Sequence, residues 1–599
     1  MSSTNGENSE NRRPGSGGLE EITGRSSNPI VGIDLGTSTS AIAVLRDGRP
    51  ELLADANGDR MIPSVVQVAL GNQIIVGANA KATAVTYHDR TAQETKRMMG
   101  TEEQIKLGPR TFTPEDIASL ILDYLKRVAA ARLGQEVQEI VLAVPARFEN
   151  AAREATKRAA ERAGLTVLRL INEPTAAALA YGLNHLADQQ KVLVFDFGGG
   201  TLDVTVLEMY EGILDVKTSV GDDRLGGKDI DEILVQMLRD AYKEKYGKKL
   251  PAPSRDRKTA QILKEAAERY KMILTNEDSV EVNLPQLTEE GGIEIVLTRE
   301  DIEGRMEEML MRAMALCNEA LARGRMRWDQ IDVVLPIGGS SRIPLFRRAL
   351  EFAWGRPLDS PEDPDQAVAR GAAIAAGIER RAFEAEEARK ALMILDVSPH
   401  RLGIATIKQV GAGQYVEDFF SEIIPKDAKL PAVEKREYRT QFYGSEPITI
   451  KVYEASNESS LCRDHHLIAE LPLRNLTPDS EGEPVQITFK YTLDGTLEVA
   501  VNYVSVPSVR VEGRYAVVGS KGTSSNGARP SADSWRDFPL AEMCLPLIEQ
   551  SERMEQEYPD SAGALRNSAD AIKAAIVRGD ETEVRRRLDA LTDLLFELV

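Results

Sequence analysis

Two short stretches of this sequence carry residue types that could handle a polyphosphate. Gly32-Ile33-Asp34-Leu35-Gly36-Thr37-Ser38 follows one apolar run, and Phe195-Asp196-Phe197-Gly198-Gly199-Gly200-Thr201 ends another. Each has the same order of apolar strand, aspartate, glycine and hydroxyl residue, as in a tight hairpin. Glycine lets backbone N–H groups approach phosphate oxygens with no Cβ in the way. The hydroxyls add donors, and a pair of carboxylates suits Mg²⁺ held through its water shell. Either stretch alone reads equally well as an ordinary glycine turn. Their recurrence in matching order, roughly 160 residues apart, points to a duplicated triphosphate-binding design.

A third glycine site, Pro336-Ile337-Gly338-Gly339-Ser340-Ser341-Arg342, also follows an apolar strand and precedes a helical pattern. Gly-Gly permits close approach of a flat ring or a phosphate, and Arg342 could stack on a base. A plain strand-to-helix turn would look the same.

The elements that must position these residues are alternating. Ile30–Ile33, Val141–Val144, Val192–Phe195 and Val333–Ile337 read as buried strands. Thr113-Pro114-Glu115-Asp116 supplies an N-cap, a first-turn proline and an acidic third position. Ile117, Leu120, Ile121, Tyr124, Leu125 and Val128 then share one helical face. A second helix is expected from Asn150 to about Ala163, stopped by Gly164. This α/β texture ends near Ile378. A charged stretch leads to the apolar run Leu392–Leu395, which suits either a linker or the first strand of the next domain. Beyond Asp396 the chain turns β-rich, with strands at Ile448–Val452, Val485–Phe489 and Thr496–Val501 and a turn signal at Asp494-Gly495. Gly519–Ser534 reads as a flexible linker. The remainder has helical periodicity, interrupted by Pro539, Pro546 and Pro559, with Asp580 capping a last helix that aligns Val584, Leu588, Leu591 and Leu595.

The expected division is a disordered tail over 1–29, a nucleotide-binding domain over 30–380, a linker over 381–396, a β domain over 397–518, a flexible linker over 519–534 and a short helical lid over 535–599. A chain of 599 residues is long enough for several cores. Its net charge of −20 argues against nucleic acid and anionic membrane as partners. Three scattered cysteines (Cys317, Cys462 and Cys544) suit neither a disulfide framework nor a zinc site and fit a reducing, cytoplasmic setting. No apolar run approaches the roughly 18 residues of a membrane span.

Several segments together resemble the signatures of the 70-kilodalton heat-shock chaperone family. They are Asp34–Thr37, the run Leu170-Ile-Asn-Glu-Pro-Thr-Ala-Ala-Ala-Leu-Ala-Tyr-Gly182, Asp196–Asp203, Gly221–Gly227 and Gly338–Pro344, in the family's order and spacing. The resemblance covers about Ile30 to Val518. It implies an actin-like, ribonuclease-H-like duplicated α/β ATPase domain, a β-sandwich peptide-binding domain and a short C-terminal helical segment. The implied function is an ATP-dependent chaperone in protein folding and stress response. It would bind unfolded or nascent polypeptides and work with a J-domain co-chaperone and a nucleotide exchange factor.

The resemblance also implies roles. Asp34 and Asp196 would hold Mg²⁺. Gly36, Thr37, Ser38 and Gly198, Gly199, Gly200 and Thr201 would cradle the β- and γ-phosphates of ATP, with Thr201 sensing the γ-phosphate. Lys96 matches a catalytic lysine and Glu173 a carboxylate that orients water. Glu268, Lys271, Thr275, Gly338, Gly339, Ser340, Arg342 and Asp365 would surround the nucleoside. Pro145 and Arg153 match relay positions, and Arg169, Asn172 and Asp396 match the J-domain docking surface. Ile404, Thr406, Ile407, Ile424, Tyr438, Ile448 and Ile450 fall on the family's peptide pocket and arch, although strand alternation by itself reads as core.

The chain departs from the family at Thr39, Arg147, Lys228 and Gln441, and its lid is short. Two other readings of the scaffold compete: an actin-fold kinase and a non-chaperone ATP-binding scaffold. The kinase requires an acceptor-activating carboxylate and a sugar cleft, neither of which the sequence assigns, and neither reading uses the β domain.

Overall fold

The computed structural model describes residues 29–379 and 393–515, apart from short interruptions, together with 562–577, Arg587 and Leu591. The tail before residue 29, the Asp494-Gly495 turn, Gln441, the 519–534 linker and most of the 535–599 segment lie outside the described residues. So do Asp580, Val584, Leu588 and Leu595 of the last expected helix. Within that segment Ala562–Val577 is a helix, and Leu565, Ala569, Ile572 and Leu591 are buried.

Two sheets of related design organise the described residues up to Leu395. In the first, strands run in the order Thr166–Asn172, Glu139–Val144, Ile30–Asp34, Thr39–Arg46, Arg49–Leu52. The first three are parallel and the last three form an antiparallel meander. The second sheet repeats the arrangement. Val333–Ile337 lies parallel to Gln190–Phe197, which continues into the meander Leu202–Tyr210 and Ile213–Asp222. All four strands expected from their apolar runs are present. Thr113 caps the helix Pro114–Leu133 with a full capping box, and Gly164, at φ +69, follows the helix Asn150–Arg162.

Two small-residue helices, Glu173–Gly182 and Ala367–Glu379, pack against each other at the centre. Every residue of Glu173–Gly182 is buried. A Cβ on Gly371 would lie 1.7 Å from the Ala176 carbonyl oxygen, and one on Gly32 would lie 2.1 Å from the Ala373 nitrogen. Only glycine fits at these two contacts, and the small alanine side chains around them let the same backbones stay close, which accounts for the Ala-rich composition of both segments. Separate cores flank this centre. One gathers the helices Pro114–Leu133 and Asn150–Arg162 on the first sheet, and the other gathers Gly227–Tyr246, Arg257–Asn276 and Glu307–Arg323 on the second.

The run after residue 392 belongs to the preceding sheet. Met393–Leu395 pairs in parallel with Ile213–Asp215 and closes the edge of the second sheet, so it is not the first strand of the β-rich unit. Among its described residues that unit has eight strands in two antiparallel sheets, ordered Gln414–Ile424, Arg401–Gly411, Ile448–Ala455, His466–Leu473 and Ala432–Arg439, Pro484–Tyr491, Leu497–Tyr503, Arg510–Tyr515. Their inner faces share one core that includes Leu402, Ile423, Val452, Ile487, Phe489 and Val499.

Candidate active site

The two glycine stretches are hairpin turns, as their composition requires. Residues 35–38 join Ile30–Asp34 to Thr39–Arg46, and residues 198–201 join Gln190–Phe197 to Leu202–Tyr210. The second turn closes with the Gly198 N–H donating to the Thr201 carbonyl at 3.1 Å. The turns face one another across a cleft between the two sheets. A Cβ on Gly199 would lie 2.5 Å from Ser38 Oγ, and one on Gly200 would lie 2.8 Å from Thr37 Oγ1. The third glycine site reaches the same place: Ser340 Oγ donates to the Gly198 carbonyl at 2.8 Å. Gly227 and Lys228 support the second turn from behind, their N–H groups donating to the carbonyls of Gly198 (3.0 Å) and Gly199 (2.9 Å).

Charge is concentrated beside these turns. Lys96 Nζ donates to Glu173 Oε1 at 2.5 Å, and both side chains are about nine-tenths buried. Burial alone would lower the Lys96 pKa, but Glu173, Asp34 and Asp196 outweigh it and hold it above the ordinary value. Burial, then repulsion from Glu173, raises Asp34, and the same causes with Asp203 and Asp34 raise Asp196 well above the ordinary value. Burial and then Asp223 push Asp203 up to about 7. Asp196 Oδ2 and Asp203 Oδ1 are buried with no hydrogen-bond partner among the described residues. Four carboxylates around one ammonium, some of them short of donors, make a site that calls for added positive charge.

The opposite end of the cleft is built by the helix Arg257–Asn276 and the 338–342 turn. Lys271 donates to the Gly227 carbonyl at 2.9 Å and pairs with Asp231 at 2.7 Å. Thr275 Oγ1 donates to the Lys271 carbonyl at 2.9 Å. Arg342 is held by Asp363 (2.6 Å) and Asp365 (2.9 Å). Glu268 pairs with Lys81 of the opposite wall at 2.8 Å. Every residue expected from the sequence to meet nucleotide or metal lines one open cleft. Met61, Met272 and Val368 also line it and were not foreseen, because lone apolar residues far apart in the chain form no pattern. Arg97 was not foreseen either; it donates to the Gly200 carbonyl and pairs with Asp229 at 2.9 Å.

A buried polar chain leaves the back of the site. Asn172 precedes Glu173, and its side chain accepts from Arg153 at 2.7 Å and donates to Asp396 at 2.9 Å. Arg169 pairs instead with Glu379 at 3.5 Å. Asp396 ends the strand pairing of residues 393–395, so this chain lies where the β-rich unit begins. That unit is seated on the first part of the protein. His400 Nε2 donates to the Arg147 carbonyl at 3.1 Å, and Thr218 Oγ1 to Asp427 at 2.9 Å. The Asn150 N–H donates to Glu454 at 3.1 Å, and Lys429 bonds Asp215. The Arg147 side chain reaches the Gly221 carbonyl.

The candidate peptide positions divide. Ile404, Ile424 and Ile450 are buried in the core between the two sheets. Thr406 is half-buried and Ile407 is exposed. Tyr438 packs at the core's edge with its hydroxyl 3.0 Å from Ser421 Oγ. The Ile448 side chain lies outside the described residues.

The chain matches the model of the family described as Hsp70 protein over residues 30–107 and 101–524. It is also similar to the chaperone protein DnaK of Thermotoga neapolitana, 35% identical over 478 residues, which span 79% of this chain and 78% of the relative.

Proposed function

The chain belongs to the Hsp70 family and is an ATP-hydrolysing molecular chaperone; from that premise we propose how its own residues do the work. The β- and γ-phosphates of ATP sit between the turns 35–38 and 198–201, on their backbone N–H groups and the hydroxyls of Thr37, Ser38 and Thr201. The nucleoside lies between Glu268, Lys271 and Thr275 on one side and Gly338, Gly339, Ser340, Arg342 and Asp365 on the other. The observation that carries this reading is the Lys96–Glu173 pair lodged between two matching glycine hairpins.

Phosphoryl transfer to water needs positioning and neutralisation of developing charge more than covalent chemistry. Lys96 supplies a fixed positive charge to the terminal phosphate. Glu173, which bonds that lysine, has a second oxygen with which to orient the attacking water. Mg²⁺ fits the carboxylates present: Asp34 and Asp196 are buried, and Asp196 has an orphaned oxygen. Among the described residues no group of three acidic, histidine or cysteine side chains forms a ready ligand set, so the two aspartates would hold the ion through its waters. The ion would supply counter-charge to the phosphates.

The duplicated sheets with a cleft between them fit an actin-like fold, and the eight strands in two layers fit a β-sandwich. The seated β-rich unit supports a scheme in which ATP holds that unit against the ATPase domain and hydrolysis releases it to retain an apolar peptide. Unfolded polypeptide would enter at Thr406, Ile407 and Tyr438, over the buried Ile404, Ile424 and Ile450. A J-domain protein and an exchange factor would serve the cycle in the cytoplasm, docking for the former being expected at Arg169, with Asn172 and Asp396 buried behind it. No helix among the described residues is long and apolar enough to cross a membrane. The test is ATP turnover measured with and without an unfolded peptide. Turnover stimulated by the peptide supports the scheme, and turnover indifferent to it removes the peptide site from the cycle.

A further inference from the structure

Glu94 does not line the cleft, yet it occupies a position no ordinary surface glutamate would hold. Its φ is +62, in the left-handed region that costs a non-glycine residue energy. It is the residue immediately before the single 3₁₀ turn Thr95–Met98, which carries Lys96 and Arg97. Its carboxylate is bonded by two lysines, Lys228 and Lys264, each at 2.6 Å. Burial opposes its ionisation, but the two ammonium groups prevail and hold its pKa below the ordinary value.

The two lysines come from the opposite wall. Glu94 follows the strand Thr91–Gln93, whose Ala92 belongs to the core of the first sheet. Lys228 and Lys264 sit on the helices Gly227–Tyr246 and Arg257–Asn276, which pack in the core of the second. Lys228 is also one of the residues that support the second phosphate turn, through its N–H on the Gly199 carbonyl. On the other side of Lys96, Arg97 holds the Gly200 carbonyl. The turn bearing the catalytic lysine is therefore tied to the facing glycine turn at both ends, through Glu94 and Lys228 before Lys96 and through Arg97 after it.

We propose that Glu94 is a positioning residue for hydrolysis: its bond to Lys228 and Lys264 sets Lys96 against the 198–201 turn only when the two walls are closed. Lys228, which replaces the acidic residue usual in the family, then has a function in this chain. It answers Glu94, and the two side chains act as one unit. This inference rests on the ATPase reading of the same cleft.

The test compares single-turnover hydrolysis at saturating ATP with ATP affinity for Glu94→Ala, Lys228→Ala and the double variant. Each single substitution is expected to slow hydrolysis at least fivefold while ATP affinity changes less than threefold. The double variant should be no more than twofold slower than the slower single, because the pair acts once. Glu94→Gln, which keeps the volume, guards against a folding defect and is expected to show the same split. Glu94→Asp should recover part of the rate. Hydrolysis within twofold of the unsubstituted chain in Glu94→Gln, a parallel loss of affinity and rate, or additive effects in the double variant would each overturn the proposal and leave the ATPase reading intact. An unsubstituted chain that hydrolyses no ATP would overturn both.

Discussion

Glu173 and Asn172 are consecutive residues that face opposite ways: Glu173 bonds Lys96 in the cleft, and Asn172 bonds Arg153 and Asp396 behind it. They sit where the strand Thr166–Asn172 passes into the helix Glu173–Gly182. A shift of this junction toward the phosphates must pull on the contacts at the start of the β-rich unit.

Replacing Asp396 by Asn should uncouple the two sides. The carboxylate accepts from Asn172 at 2.9 Å and from the Val397 N–H at 2.9 Å. An amide retains one acceptor but presents a donor to a donor, and a buried mismatch of that kind costs roughly 1–3 kcal/mol. ATP should still bind, while ATP-induced peptide release slows. Stopped-flow release of a labelled peptide measures it, and unchanged release would show that the Asn172–Asp396 bond carries no signal.

Lys96→Ala should bind ATP and fail to hydrolyse it. The ammonium meets charge that grows in the transition state, so its loss falls on rate more than on binding. Removal of one such group typically costs about 10²–10³-fold. Single-turnover hydrolysis beside an affinity titration separates the two quantities. Lost affinity with normal hydrolysis by the bound fraction would reverse the assignment.

Gly226→Ala should damage the site without touching a side chain that meets nucleotide. The added Cβ would lie 2.7 Å from the Gly199 carbonyl oxygen and from the Gly200 carbonyl carbon. Neither backbone atom can step aside without moving the 198–201 turn. Nucleotide affinity should fall at least tenfold with the fold retained, as read by calorimetry and far-ultraviolet dichroism. Affinity near that of the unsubstituted chain would mean that the turn moves freely.

Seating of the β-rich unit should depend on pH through two groups acting in opposite directions. Burial, then Glu149, raises Glu454 to about 8 in the seated form, against an ordinary 4.5, with the Asn150 N–H and Arg153 partly offsetting this. Seating therefore takes up a proton and strengthens as pH falls below about 8, by at most about tenfold per unit. Burial, then Arg147, lowers His400 from 6.5 to about 3, and Arg153 and Lys426 add to that. Its proton is therefore expelled on seating, which opposes the Glu454 trend below 6.5. Fluorescence energy transfer between the two parts, in ATP, should rise from pH 8 to 6.5 and then level. Glu454→Gln should abolish the rise and leave only the acid-side loss; an unaltered rise would remove Glu454 as its source.

The hairpins, the strands that feed them and the caps of the first helices were legible because each is a local pattern: a two-residue alternation, a glycine run or an N-cap three residues from its partner. Lys96 was assignable only by resemblance, since one lysine in Thr95–Met98 looks like any surface lysine. Glu94 with Lys228 and Lys81 with Glu268 were not legible. Their partners are joined by the closing of two walls and leave no mark in local spacing. The run Leu392–Leu395 was apolar enough to be a strand, but three or four residues carry no sign of which sheet they join.

The strand Met393–Leu395 has one further consequence. While it is paired, the backbone amides of residues 213–215 that face it lie inside a ladder; were it to depart, those amides would become a bare sheet margin open to solvent exchange and to an extended peptide of suitable length. Under the proposed cycle, deuterium uptake at the amides facing that strand should be slow in the seated form and fast in the released one. Asp215, which holds Lys217 at 2.7 Å and also bonds Lys429, leaves a charged residue on that margin. The charge discourages a second chain from adding itself during the interval when the margin is exposed.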